Sequence, residues 1–364
     1  MHRSTDTNPA ADTTAASDAT MQADTPPSTD TRLAADAADA ARRRLRRGVL
    51  LAALAAAILY AAFALGTDAR GVVESIARFP PHLLLAAMAL SFANYVVRFA
   101  RWRLYCRRLS IELDARTSFQ IHLAGLAFTV SPGKMGEAFK SLLVRRLTGT
   151  PVHQSAPIVL AERFTDLLGF LLLIAIGGLA TPADQRWIVW GTLGLCALLF
   201  AFVTWRRAQR TVLRLLARTR AGGRIAPRLE GALVSARTLL HWRELPLPTL
   251  IAAAGWSLEC VGFWLVASWF VPGGVPFLFA MSTFALAAVA GAVAFVFPGG
   301  LGVTEASMGT LLGRRYVAQG LALETAAASA VSATILIRFA TLWFAVGVGA
   351  LALMLFRRKH GGIA

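Results

Sequence analysis

PGKMGEAFKSLLVRR, residues 132–146, and PGGLGVTEASMGTLLGRR, residues 298–315, follow one pattern: Pro-Gly-x-x-Gly, then Glu-Ala, then Leu-Leu-x-Arg-Arg. A small insertion in the second stretch separates Gly302 from Glu305. Each Pro/Gly break lies between apolar arms. In the first region, 118–147, neither arm reaches the roughly 20 apolar residues that a crossing helix needs. Arg116 before it and Arg145 and Arg146 after it place both outer ends on one side. This predicts a re-entrant hairpin, because broken backbone at membrane depth is tolerated only when it is buried in protein or lines a wet cavity. The second region follows Pro272-Gly273-Gly274, runs apolar over 277–297, breaks at 298–302 and continues to Leu312. It is expected to enter from the opposite side. Flanking spans of opposite sense make this an inverted-topology repeat, with a site near the midplane where broken helix ends aim partial charges at a ligand.

The rest of the chain fits a membrane fold. It is 56% hydrophobic and 16% charged, against about 25% charged in a soluble globular chain, and its mean hydropathy is +0.57. Apolar runs at 49–65, from 83 to the arginines ending at 108, at 156–180, 187–205, 250–270 and 326–356 predict an all-α integral membrane protein. It has about six full transmembrane helices and two re-entrant helical hairpins. The net charge of +17 would suggest nucleic acid in a soluble protein. Here the arginines sit between the apolar runs, where the positive-inside rule and anionic lipid account for them. Residues 1–40 read as a disordered acidic tail without the apolar core of a signal peptide. A membrane domain over 41–356 follows, with a basic amphipathic cytoplasmic segment at 206–244 and a cytoplasmic tail at 357–364. Arg42, Arg43, Arg44, Arg46 and Arg47 ahead of the first run put the N-terminus in the cytoplasm, and Arg357, Arg358 and Lys359 do the same for the C-terminus. The expected location is the bacterial inner membrane.

Ionised groups inside membrane helices need a partner or a purpose, since each costs roughly 2.5–3.5 kcal/mol to insert. The acidic candidates are Glu137, Glu162, Asp166, Glu259 and Glu305. The basic ones are Lys134, Lys140, Arg163 and Arg338, with Arg98 and Arg101 ranked lower because topology alone accounts for them equally well. Glu137 and Lys140 share a helical face, and a lipid phosphate is expected on Lys134, Lys140 and free N–H groups at the start of that arm. Arg163 and Asp166 can pair at i, i+3. Glu162 and Asp166 share a face as like charges, which demands another cation, for which Arg338 is the candidate. These charges serve either as an ion network between helices or as direct headgroup contacts. Glu305 mirrors Glu137, and Glu259 is ranked below both. No metal or cofactor site is expected. Cys106, Cys196 and Cys260 are scattered, and His122 has no second histidine at ligand spacing.

Taken together, Arg98-x-x-Arg101-Trp102-Arg103, Pro132-Gly133-x-x-Gly136-Glu137 with Lys140 and Leu142-Leu143, Glu162-Arg163-x-x-Asp166 and Phe297-Pro298-Gly299-Gly300-Leu301-Gly302-Val303-x-Glu305 resemble the lysylphosphatidylglycerol synthase transmembrane, or flippase-like, family. The resemblance covers roughly residues 45–355. It implies lipid translocation. In two-part members a membrane half moves an aminoacylated phospholipid and a soluble half synthesises it. Only about eight residues follow the last span here, so aminoacyl transfer is not carried over. Other stand-alone relatives are associated with polyprenyl-phosphate sugar or hopanoid pathways, which leaves the lipid open. The expected function is a non-enzymatic lipid translocase with anionic phospholipid or polyprenyl phosphate as ligand. A membrane-embedded lipid-group transferase and a non-transporting subunit of a lipid, hopanoid or glycan synthesis system are the alternatives. Lipid-synthesis proteins are candidate partners and nucleic acid is not.

Overall fold

The computed structural model describes residues 69–131, 136–178, 238–294 and 298–360, with isolated positions between 186 and 194. The acidic tail, the predicted spans at 49–65 and, but for those isolated positions, 187–205, Lys134, most of the basic segment at 206–244 and the last four residues lie outside them. The described chain is helical: α1 (Ala69–Ala77), α2 (Pro81–Arg108), α3 (Ala115–Leu126), α4 (Phe139–Thr148), α5 (Val152–Ser155), α6 (Pro157–Gly178), α7 (Pro246–Trp269), α8 (Phe277–Val293), α9 (Val303–Ala318), α10 (Leu323–Arg338) and α11 (Phe344–His360). A π-helical turn, Phe339–Trp343, joins α10 to α11 without a break. Among the described residues, α2, α7 and the continuous helix Leu323–His360 are long and apolar enough to cross a membrane.

Local chemistry sets the helix ends. Pro81 opens α2 at a position where a missing N–H costs nothing. Asp114 caps α3 by accepting from the N–H groups of Arg116 and Thr117 at 2.8 and 3.0 Å. Gly149 ends α4 in the left-handed region with φ 71°. The return arm of the second hairpin was expected to stop at Leu312. It continues to Ala318, and the stop is Gly320 at φ 95°. In the preceding arm the helix runs to Val293, and residues 295–297 of the apolar run lie outside the described residues.

Two sets of contacts define the ends of the bundle. At one end Arg108 of α2 pairs with Glu244, just before α7, and Arg146 of α4 donates to the carbonyl of His360 on α11 at 2.9 Å. At the other, Phe79 stacks on Phe270 beyond α7, and Gln319 beyond α9 donates to the Gly274 carbonyl ahead of α8 at 2.8 Å. The α3–break–α4 hairpin therefore starts and finishes at the first end, and α8–break–α9 starts and finishes at the second. The core between them is built from α2, α6, α7, α8, α9 and α10, with Phe263, Phe284, Leu312 and Ile337 buried. α10 packs on α9 of one hairpin and α11 packs on α3 of the other, so one long helix touches both.

Candidate functional site

Each break is shaped by its own small residues. At the first, Ser131 Oγ donates to the Phe128 carbonyl and accepts from the Gly136 N–H, both at 2.7 Å, which staples the two sides of the turn together. At the second, Gly299, Gly300 and Gly302 adopt φ of 62°, 68° and 89°, a region that strains any residue with a Cβ. The tips meet: a Cβ on Gly299 would lie 3.3 Å from Val130 Cα. Val130, Leu301 and Leu342 of the π-turn form a small buried apolar cluster there.

Behind this cluster the buried charges pair across elements. Glu137, just past the first break and 2% exposed, accepts from Arg163 of α6 at 3.0 Å. Glu305, just past the second and 1% exposed, accepts from Arg338 of α10 at 2.6 Å. The two copies of the motif thus hold the same carboxylate in the same way, against an arginine of the long helix that follows. Glu305 also caps its own helix through the Gly302 N–H at 2.7 Å. Arg338 reaches the Gly299 carbonyl at 3.3 Å as well, which ties α10 to the tip itself.

The first half carries a second layer. Asp166 receives Arg101 at 2.7 Å, Arg163 at 3.2 Å, Arg98 at 3.6 Å and the indole N–H of Trp256 at 2.9 Å. Arg101 is fully buried and also donates to Thr165 at 3.1 Å. Lys140 pairs with Glu162 at 2.5 Å and sits 4.6 Å from the centre of the Trp102 ring. Buried ions need such multiple partners, because desolvation of a lone charge outweighs a single attraction.

These groups surround a cavity of about 260 Å³. Taking roughly 30 Å³ per water, it has room for about nine, the size of a headgroup rather than a whole lipid. Arg98, Arg163 and Arg338 line it together with Glu137, Asp166 and Glu259, so among the described residues its wall carries three basic and three acidic side chains. Thr129 of the first tip and Thr304 and Gly299 of the second also face it.

The predicted residues divide accordingly. Glu137, Arg163, Asp166 and Arg338 stand on the wall, and Glu259 and Arg98 join them. Lys140, Glu162, Arg101 and Glu305 are buried behind it: Arg101 holds Asp166, Glu305 holds Arg338, and Lys140 and Glu162 hold each other. The expected phosphate contact through Lys140 does not fit this placement, because its ammonium is engaged by Glu162 and Trp102. Lys134 lies outside the described residues. Arg338 was expected to neutralise the Glu162 and Asp166 face. Instead Lys140 serves Glu162, Arg98, Arg101 and Arg163 serve Asp166, and Arg338 pairs with Glu305, because α10 packs on α9 in the other half.

The sequence profile of the lysylphosphatidylglycerol synthase TM region matches residues 48–349. The chain belongs to this family. No curated protein matches it. Membership of the lysylphosphatidylglycerol synthase TM family makes a membrane, lipid-related function the frame for the cavity. It also places both breaks and every ion pair around the cavity inside the matched region. Trp256, Tyr95, Asn94 and Thr165, all part of this site, escaped the sequence reading. A signal for some of them existed: Ser91, Asn94, Arg98, Arg101 and Tyr105 recur at steps of three and four along α2, one helical face of polar groups inside an apolar run.

Proposed function

We propose that the protein is a flippase-like lipid translocase that moves a phospholipid or polyprenyl-phosphate-linked lipid between the leaflets of the bacterial inner membrane. The observation that carries this reading is the charge-lined cavity at the meeting point of two broken hairpins that reach in from opposite ends of the bundle. In this reading the hairpins are re-entrant, the halves form an inverted repeat, about six helices cross fully, and both termini are cytoplasmic. Arginines at Arg107, Arg108, Arg145, Arg146, Arg357 and Arg358 gather at one end, which the positive-inside rule makes the cytoplasmic one.

A headgroup with a negative phosphate would take the place of a carboxylate on Arg98, Arg163 or Arg338, while its acyl chains stay in lipid. Among the described residues the wall carries equal numbers of acidic and basic side chains, so binding would proceed by a rearrangement of partners rather than by exposing a naked buried charge. The proposal assigns no covalent step to the protein, so it is a carrier and not an enzyme. Anionic phospholipids and lipid-synthesis proteins are the partners it calls for.

Reconstitution in liposomes tests it. Wild-type protein is expected to accelerate leaflet exchange of labelled phospholipid or polyprenyl phosphate, and Glu137→Ala and Glu305→Ala to abolish the acceleration while remaining folded. Exchange unaffected by both substitutions would remove the cavity from the mechanism. No exchange with any lipid would favour the reading as a non-transporting subunit.

A further inference from the structure

Leu-Leu-x-Arg-Arg closes both copies of the repeat, and the bundle sets the two double arginines at opposite ends. Arg145 and Arg146 stand in the last turn of α4, at the end that also holds Arg108 and His360. Arg314 and Arg315 stand near the close of α9, where Gln319 reaches the Gly274 carbonyl. Their placement within each arm agrees. The second leucine, Leu143 or Leu312, is fully buried, and the first arginine, Arg145 or Arg314, is exposed. The positive-inside rule accounts for one pair only, because it draws arginine beside short connections to the cytoplasmic side. α9 turns into α10 through residues 319–322, at the end opposite Arg145. With the arginines of α2 and α11 gathered at the first end, Arg314 and Arg315 are the pair that the rule leaves unexplained.

No acid neutralises this pair. Among the described residues neither Arg314 nor Arg315 has an ion-pair partner. At the same end Arg78 pairs with Glu74 at 3.4 Å, and Glu324 lies in the first turn of α10, where a carboxylate suits the helix dipole. Arg315 is nonetheless held in place. Its guanidinium carbon lies 5.5 Å from the centre of the Phe279 ring, in the first turn of α8. Its buried Nε has no hydrogen-bond partner, and one helical turn further on the buried Oε1 of Gln319 has none either. An orphaned donor and an orphaned acceptor so close along one helix call for a ligand with an anionic oxygen and a hydroxyl or amine. The dipole of α9 would be served by any cation in its last turn and gives no reason for a buried Nε left open.

We propose that Arg314, Arg315 and Gln319 form a docking site, outside the cavity, for the headgroup of an anionic phospholipid in the leaflet at the second end. The phosphate takes the guanidinium groups, whose planar forked donors match it. A hydroxyl or amine of the headgroup donates to Gln319 Oε1. The site's role rests on the translocase reading: it gathers lipid of that leaflet beside the second hairpin before the headgroup enters the cavity.

The test uses the full-length protein in liposomes, with a fluorophore on Val317→Cys, an exposed position beside the pair, in a Cys196→Ser background; Cys106 and Cys260 are buried. Nitroxide-labelled phosphatidylglycerol and phosphatidylcholine are the probes. Phosphatidylglycerol is expected to quench the dye at roughly one-fifth of the mole fraction that phosphatidylcholine needs, the preference that one surface arginine gives. Arg314→Gln/Arg315→Gln is expected to erase the difference and leave quenching by phosphatidylcholine unchanged. Equal quenching by the two lipids without those substitutions, or a preference retained with them, would overturn the site. Should the double variant fold poorly, Arg314→Gln alone, at an exposed position, is expected to lower the preference about twofold; an unmoved preference counts against the site. Quenching needs no transport, so it reads the site even if no lipid moves and the translocase reading fails. Where labelled phosphatidylglycerol does exchange between leaflets, the double variant is expected to slow it, and an unaltered rate would overturn the gathering role.

Discussion

The two hairpins share one sequence pattern and are held differently. In the first, the outgoing arm is pinned twice to adjacent residues of α6, Glu137 to Arg163 and Lys140 to Glu162, with the polarity reversed between the two pins. Asp166 then binds Arg163 into a cluster with Arg98 and Arg101. In the second, Glu305 makes the ion pair to Arg338 and otherwise serves its own helix start. A lysine at the position of Lys140 is what the second copy lacks: three residues beyond Glu305 stands Met308, buried in the apolar core. The difference teaches that one motif can keep its carboxylate–arginine pair while one copy adds a second pin and a three-arginine cluster and the other sets a buried methionine at that place.

The comparison breaks first at Asp166. Asp166→Asn leaves the buried guanidinium groups of Arg98 and Arg101 without their anion and Arg163 with Glu137 alone, and is expected to cost about 3–5 kcal/mol, read as a fall in the thermal midpoint in detergent. A loss below that of any second-half substitution would mean that the first hairpin is not the anchored one. Lys140→Met, which gives the first arm the residue type of the second, strands Glu162 and is expected to cost about 3 kcal/mol by the same measurement. Full stability would show the reversed pins to be ornament. Amide exchange compares the arms directly. The start of α9 should exchange at least about tenfold faster than the start of α4, a gap of roughly 1.4 kcal/mol in local opening; equal protection would erase the contrast. Ser131→Ala removes the staple of the first tip only and is expected to cost about 1 kcal/mol. The smallest effect concerns the incoming arms. Hydrogen bonds from Thr117 and the Arg116 N–H hold the Asp114 carboxyl below its usual range. Its cap on α3 is therefore intact above about pH 4 and weakens as pH falls through the depressed value. α8, which starts after Pro276, carries no such acid. Helix content near α3 should be acid-sensitive in wild type and indifferent in Asp114→Asn.

Much of the fold was legible because apolar run length and Pro/Gly breaks are local signals. The repeated motif found the two breaks, and Glu137, Arg163, Asp166 and Arg338 were found because ionised groups inside apolar runs are conspicuous. What failed was partner choice. Arg338 was assigned across to α6 because charge balance alone does not say which helices touch, and the packing of α10 on α9 decides it. Arg101 was ranked low because it lies in a run of arginines ending at Arg108 that looks like a cytoplasmic flank. Burial of its face of α2 separates it from Arg107, which is exposed. Asn94 and Trp256 carry no charge, so an inventory of ionisable residues passes over them.

The π-turn at Phe339–Trp343 has a consequence for the length of the chain itself. Such a turn holds one residue more than an α-helix would use, and each residue of an α-helix advances its face by about 100°. Removing a single residue there would leave α10 and α11 each intact but rotate the second against the first. Gly349, whose missing side chain lets α11 lie directly on the backbone of Leu126 and Ala127, would turn away from α3. The count of residues between Arg338 and Gly349 is thus a phase setting. It keeps the contact to one hairpin and the contact to the other on their proper faces of a single helix, and a deletion that spares every side chain of the site would still uncouple the two halves.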